Sequence, residues 1–250
     1  MTRDDVDTFV VNGYTVRIRH DDDPESPREW DNLGTMVCHH RRYDLGDKHS
    51  HSDTEQFLLS LIPDDRAALL ERWYERHHYQ HLIQTVGLRY GSDEYRRISR
   101  DLAERYADRR MEEAEKVAII LPVYLYDHSG LAMSVGGFNC PWDSGQVGWV
   151  YVTLEDVRRE YSCKHVTKAI RDKVIKVMTG EVQTYSEYLG GFVYGFIIEK
   201  PDGEHEDSCW GFYGLDDVKK EATGIAERLP PLPESEDGDD AEDERELEPA

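Results

Sequence analysis

From Thr8 to Arg19 the chain reads TFVVNGYTVRIR, β-rich runs broken only by Asn12-Gly13. Where apolar and polar residues alternate, the apolar ones line one face of a pleated strand. Asn-Gly between two such runs predicts a hairpin, because a type I′ turn needs two residues that tolerate positive φ. A polar stretch with two prolines follows, DDDPESPREWDN, and then a short apolar run from Gly34 to His39 that predicts a strand.

The period then changes. Asp53 with Gln56 three residues later has the form of a capping box ahead of FLLSLI. Pro63 suits the first turn of a new helix. In that helix Leu69, Leu70, Trp73, His77, Leu82, Ile83 and Val86 are expected on one buried face. Gly87 or Gly91 is expected to end it, and Ser92 to cap a further helix with Tyr95, Ile98, Leu102 and Tyr106 turned inward.

At Val117 the helical period breaks. The stretch from Leu121 to Thr153, LPVYLYDHSGLAMSVGGFNCPWDSGQVGWVYVT, holds two apolar runs about the turn Asp127–Gly130, a glycine-rich loop, and a third apolar run from Val147. Thr153 onward predicts a short helix, LEDVRREY. A second is expected over Thr167–Met178 with Gly180 as its stop, and a third short one capped by Thr184 with Glu187 and broken at Gly190-Gly191. Phe192–Glu199 and Glu206–Tyr213 predict a second hairpin across Pro201-Asp202-Gly203, and Leu215–Arg228 a last helix.

This order is not the βαβα alternation of a parallel sheet. The expectation is an α+β fold: a mainly antiparallel sheet of N-terminal, central and C-terminal strands, with helices packed on it. Residues 1–229 are expected to form one domain with a helical insertion at about 53–116, and residues 230–250 a disordered acidic tail.

Composition changes this picture mainly through charge. The 250 residues carry 52 acidic and 30 basic side chains, a formal −22. Glu234–Ala250 contributes ten carboxylates and one arginine, about −9, leaving about −13 elsewhere. Such a field repels phosphate backbones, so direct nucleic-acid binding is not expected. Two explanations compete. Adaptation to a high-salt cytoplasm fits the few lysines and the spread of acidic residues through the chain. Imitation of nucleic acid to occupy a basic host enzyme is the other. No apolar run is long enough to span a membrane, and no apolar leader is visible, so a cytoplasmic location is expected. The four cysteines are far apart with no CxxC pair, which fits free thiols and no zinc site.

Three groups of residues have chemical potential. His39, His40, Tyr43, Asp44, Asp47, His49, His51 and Asp53 share one loop, but their spacing matches no metal motif, and no metal is expected. Asp127-His128 sits at a hairpin tip, where Asp-x-Ser-Gly is ordinary turn chemistry. The third group is a pair of similar strings. NCPWDSG brings together Asn139, Cys140, Trp142, Asp143 and Ser144; DSCWGFYG brings together Asp207, Cys209 and Trp210. If the strings are neighbours, two indoles and two carboxylates border one pocket, with His128 near it. Indoles stack planar ligands and carboxylates take hydroxyls. A cysteine nucleophile there needs a base such as His39 or His128. No phosphate-loop, dinucleotide, zincin or nucleophile-elbow motif is present, and no cofactor is implied.

The strings PREWDNLGTMVCHHRRYDLGD, LPVYLYDHSGLAMS, CPWDSGQVGWVYVT and DSCWGFYG together resemble a family of uncharacterised proteins encoded by phages, plasmids and integrative elements. The resemblance covers most of residues 27–214. It implies an accessory protein of a virus or mobile element in a host cytoplasm, and with the acidity a halophile's. It assigns no catalytic residue. The expected function is binding of a host protein or small ligand through the 139–145 and 207–213 loops. A hydrolase or nucleotide-processing enzyme using the His, Cys and Asp loops is one alternative; an acidic nucleic-acid mimic that inhibits a host defence enzyme is the other.

Overall fold

The computed structural model describes residues 5–232. Most of the expected acidic tail, residues 233–250, lies outside the described residues. The fold is α+β with antiparallel sheets. Its strands sort into two four-stranded sheets, one joining N- and C-terminal strands and the other built from the central ones. Within the span expected to form one domain, the chain gathers into two compact units, residues 25–190 and the flanking segments 5–24 with 191–232.

The first unit holds β1 (Asp5–Val11), β2 (Tyr14–His20), β7 (Val193–Glu199) and β8 (His205–Tyr213) in the spatial order β1-β2-β7-β8, with helix α6 (Leu215–Arg228). The β1–β2 turn has Asn12 at φ 53° and Gly13 at φ 85°, both in the left-handed region a type I′ turn demands. Asn12 also donates its amide to the carbonyls of Ala226 and Glu227, each at 3.1 Å, so the turn residue serves the orphan acceptors at the end of α6. Residues 230–232 fold back on the same hairpin: Tyr14 donates to the Pro230 carbonyl and the Leu232 N–H to the Asn12 carbonyl. Val16, Ile18, Phe196 and Ile198 meet Val218, Ala222 and Ala226 in the core of this unit.

The second unit holds β3 (Thr35–Cys38), β4 (Ala118–Asp127), β5 (Leu131–Ser134) and β6 (Ser144–Thr153), ordered β3-β6-β4-β5. Both faces of this sheet are covered, which is why β4 reads as a nearly unbroken apolar run. Ile119, Val123 and Leu125 face α5 (Lys168–Leu189) through Val174, Met178 and Val182. Ala118 and Ile120 face the opposite way, onto Phe57 and Leu58 of α1 (Thr54–Leu61), Leu70 of α2 (Asp64–Thr85) and Ala114 of α3 (Asp93–Ala114). A short helix, α4 (Leu154–Glu160), follows β6.

Two expectations are corrected. α5 is continuous, with no stop at Gly180 and no new cap at Thr184; the Thr184 hydroxyl instead donates to the Gly180 carbonyl one turn back. In α2 the expected single buried face divides. Leu70, Trp73, His77 and His81 turn toward the core or α3, whereas Leu69, Leu82, Ile83 and Val86 are exposed. In the distal half of α2 the apolar residues Tyr79, Leu82, Ile83 and Val86 all lie on the outer side while His77, His81 and Thr85 face inward, so the apolar period there points away from the core.

Candidate functional site

The loop from His39 to Asp53 lies between β3 and α1 and is fixed from beneath. Arg28, only 6% exposed, grips Asp47 through Nε–Oδ1 at 2.8 Å and Nη2–Oδ2 at 2.7 Å. The same carboxylate accepts the Met36 N–H, and Arg28 donates to the Gly34 carbonyl. Glu181 of α5 accepts from the N–H groups of Leu33 and Gly34; burial, opposed by these bonds, holds its carboxyl above the usual range. Gly46 donates its N–H to the Tyr185 hydroxyl. The strings PREWDNLG and YDLGD are thus largely accounted for as a clamp on this loop.

Above the clamp three imidazoles follow one another. The His39 and His49 ring centroids are 4.8 Å apart and those of His49 and His51 5.7 Å, and His51 meets Phe57. His49 Nε2 is 2.8 Å from the Cys38 carbonyl. Burial first, then the neighbouring His49, pushes the His39 imidazole below its ordinary value. Asp47 is taken by Arg28, and Asp53 caps α1 through the Gln56 N–H. Among the described residues, no group of three His, Cys, Asp or Glu side chains has an arrangement that could hold a metal ion.

Two clefts flank this loop and share His39, His40 and Arg41. One, about 1000 Å³, runs toward Tyr185 and Tyr188 and includes Cys38. Burial, with Asp47 nearby, raises the Cys38 thiol to about 12, so it is no nucleophile. The other, about 750 Å³, lies between Arg41-Arg42 and the segment Trp142–Val147. Arg42 pairs with Asp127 at 2.5 Å, and Tyr43 reaches the other Asp127 oxygen at 3.4 Å. The Asp127 N–H donates to the Asp143 carbonyl at 2.9 Å, joining the hairpin tip to the glycine-rich loop.

The expected residues of that loop do converge. Asp143 Oδ2 lies 3.4 Å from Cys140 Sγ and 3.5 Å from His128 Nδ1. The order is thiol–carboxylate–imidazole, whereas nucleophilic catalysis needs the imidazole between the other two. Ser144 Oγ donates to the Cys140 carbonyl at 2.6 Å, which closes the loop and occupies the hydroxyl. Asn139 is exposed, and Trp142 is 93% exposed at the cleft rim.

The second string belongs to the other unit. Asp207, Cys209 and Trp210 lie on β8, the edge strand of the first sheet. Asp207 accepts the Ser208 N–H, and the Trp210 ring covers Gly195, where an added Cβ would lie 2.1 Å from the indole. An aromatic ring laid over a strand glycine has a packing role. Sequence reasoning missed Arg41, Arg42 and Gln146, which line the smaller cleft; the consecutive HHRR was the available signal. All four cysteines are free thiols, and no helix among the described residues is long and apolar enough to cross a membrane. Comparison with known protein families, curated proteins and solved structures finds no match.

Proposed function

We propose that this chain is a binding protein and that its ligand or partner seats in the cleft between Arg41-Arg42 and Trp142–Val147. One observation carries the reading: Trp142 stands 93% exposed at the rim of a cleft of about 750 Å³. Exposing an indole forgoes apolar burial of the order of 2 kcal/mol, and a stacking surface is a use for it. Arg41, which has no carboxylate partner among the described residues, supplies a cation beside it. A planar group stacked on Trp142 and an anionic group on Arg41 is the chemistry the cleft fits. The thiol–carboxylate–imidazole order at Cys140, Asp143 and His128 weighs against a hydrolase.

The setting is part of the proposal. The resemblance of four strings to mobile-element proteins supports an accessory role in a host cytoplasm, and the −22 charge supports a high-salt one. Stability that rises with KCl is expected for the latter; full stability in dilute buffer would remove it.

The test of the site is a tryptophan fluorescence titration with nucleotides and sugar phosphates, wild type against Trp142→Ala. A saturable response in the wild type that Trp142→Ala and Arg41→Ala each weaken at least tenfold is expected. A response that survives both substitutions would place binding elsewhere.

A further inference from the structure

Among the described residues, the outer face of α2 carries a continuous apolar stripe that is left exposed. Tyr79, Leu82, Ile83 and Val86 are 67%, 49%, 58% and 80% exposed. They follow one another at i, i+3, i+4 and i+7, a single stripe along a helix. The stripe lies opposite the side that α2 turns to α3, where His81 bonds Ser99 and Trp73 and Tyr74 meet Tyr106. Residues 77–86 contain no Asp, Glu, Lys or Arg, although 33% of the chain is charged. A stretch of surface helix with an exposed apolar stripe and no charged residue has the character of one that is covered.

We propose that this face is where two copies of the chain associate, α2 packing antiparallel on α2 about a two-fold axis so that two α2–α3 hairpins make a four-helix bundle. A two-fold interface must be complementary to itself, and this stripe is. An axis midway between Leu82 and Ile83 sets Leu82 against Ile83 of the second copy and, about the same centre, Tyr79 against Val86. Charge points to the same occupant. The whole chain carries −22, but residues 64–114 hold 11 acidic and 10 basic side chains, a net −1. The α2–α3 hairpin therefore lets a second acidic copy approach without the repulsion expected elsewhere. With Tyr90, 83% exposed in the following turn, the stripe presents on the order of 500 Å² per copy, so two copies bury about 1000 Å², the lower bound of a specific interface. The association is accordingly reversible and concentration-dependent. It strengthens in concentrated KCl, which screens the rest of the surface.

The experiment is sedimentation of the full chain in high KCl over a wide concentration range. Twice the single-chain mass of 29.0 kDa at the upper end is expected, with Ile83→Glu and, separately, Leu82→Glu returning it to one chain mass at unchanged helix content by circular dichroism. These side chains face solvent in the single chain, so folding is not at stake. A single-chain mass throughout overturns the proposal and gives the stripe to a partner of another kind. A dimer that survives both substitutions overturns it as well.

Discussion

Arg28 and Asp47, 19 residues apart, form a two-bonded ion pair with heavy-atom distances of 2.8 and 2.7 Å, and the arginine side chain is only 6% exposed. Removing one partner leaves the other charge buried and uncompensated. Arg28→Ala and Asp47→Ala are each expected to lower unfolding free energy by about 3–5 kcal/mol. Arg28→Lys is expected to recover only part of that, because an ammonium lacks the two-pronged fork. Urea titration of the three variants checks this.

The imidazole of His39 imposes a pH dependence with a definite sign. Its folded value lies below the ordinary 6.5, chiefly through burial and then through His49. The unfolded chain therefore binds more protons in the window just below 6.5, so stability rises with pH through that window and falls as the solution is acidified. His39→Gln is expected to flatten the slope there. A slope unchanged by the substitution would assign it to other groups.

Of the exposed tryptophans, Trp142 and Trp210 divide by role. Trp142 touches little of the fold, and Trp142→Ala is expected to change stability by no more than about 0.5 kcal/mol. Trp210 covers Gly195, whose added Cβ would strike the ring at 2.1 Å. Gly195→Ala must displace the indole and is expected to cost about 1–3 kcal/mol, with a shift in tryptophan emission. Thermal melts of the two variants side by side decide it.

Asn12 holds a positive φ of 53° and bonds the last turn of α6 through its amide. Asn12→Gly keeps the turn conformation and loses the bonds. A loss of about 1–2 kcal/mol is expected from two carbonyls deprived of a donor, with the hairpin retained. If the loss is within error, water replaces the amide there.

What could be seen in the sequence was local. Asn12-Gly13 announced its turn, the Asp53 cap its helix, and the run from Ala118 to Tyr126 its strand. Gly180 misled because an exposed glycine within a helix costs only about 1 kcal/mol relative to alanine, which packing of Val174, Met178 and Val182 offsets. The inner and outer faces of α2 could not be told apart because its apolar residues change sides, Leu70 and Trp73 facing inward and Leu82, Ile83 and Val86 outward. The choice of sheet for each strand rests on pairings such as Thr15 with Glu199, which no local pattern contains. At the candidate site, the crowding of Cys140, Asp143 and Ser144 followed from their spacing. The Arg42–Asp127 contact, spanning 85 residues, had no signal at all.

The first sheet takes strands from both ends of the chain, and that has a consequence during synthesis. β1 and β2 leave the ribosome well ahead of their neighbour β7, which begins at Val193. At about 5–20 residues per second the hairpin waits on the order of 10 s for it, while residues 25–190 emerge and fold. A lone two-stranded hairpin is marginal in water and offers an open edge to any other strand. Asp5, with its side chain fully buried between Arg17 and Arg19, gives this hairpin an internal ionic lock. The nascent β2 edge therefore bears charge until Glu199 arrives to meet Arg17 at 2.7 Å, so the residues that complete the sheet also chaperone its first half.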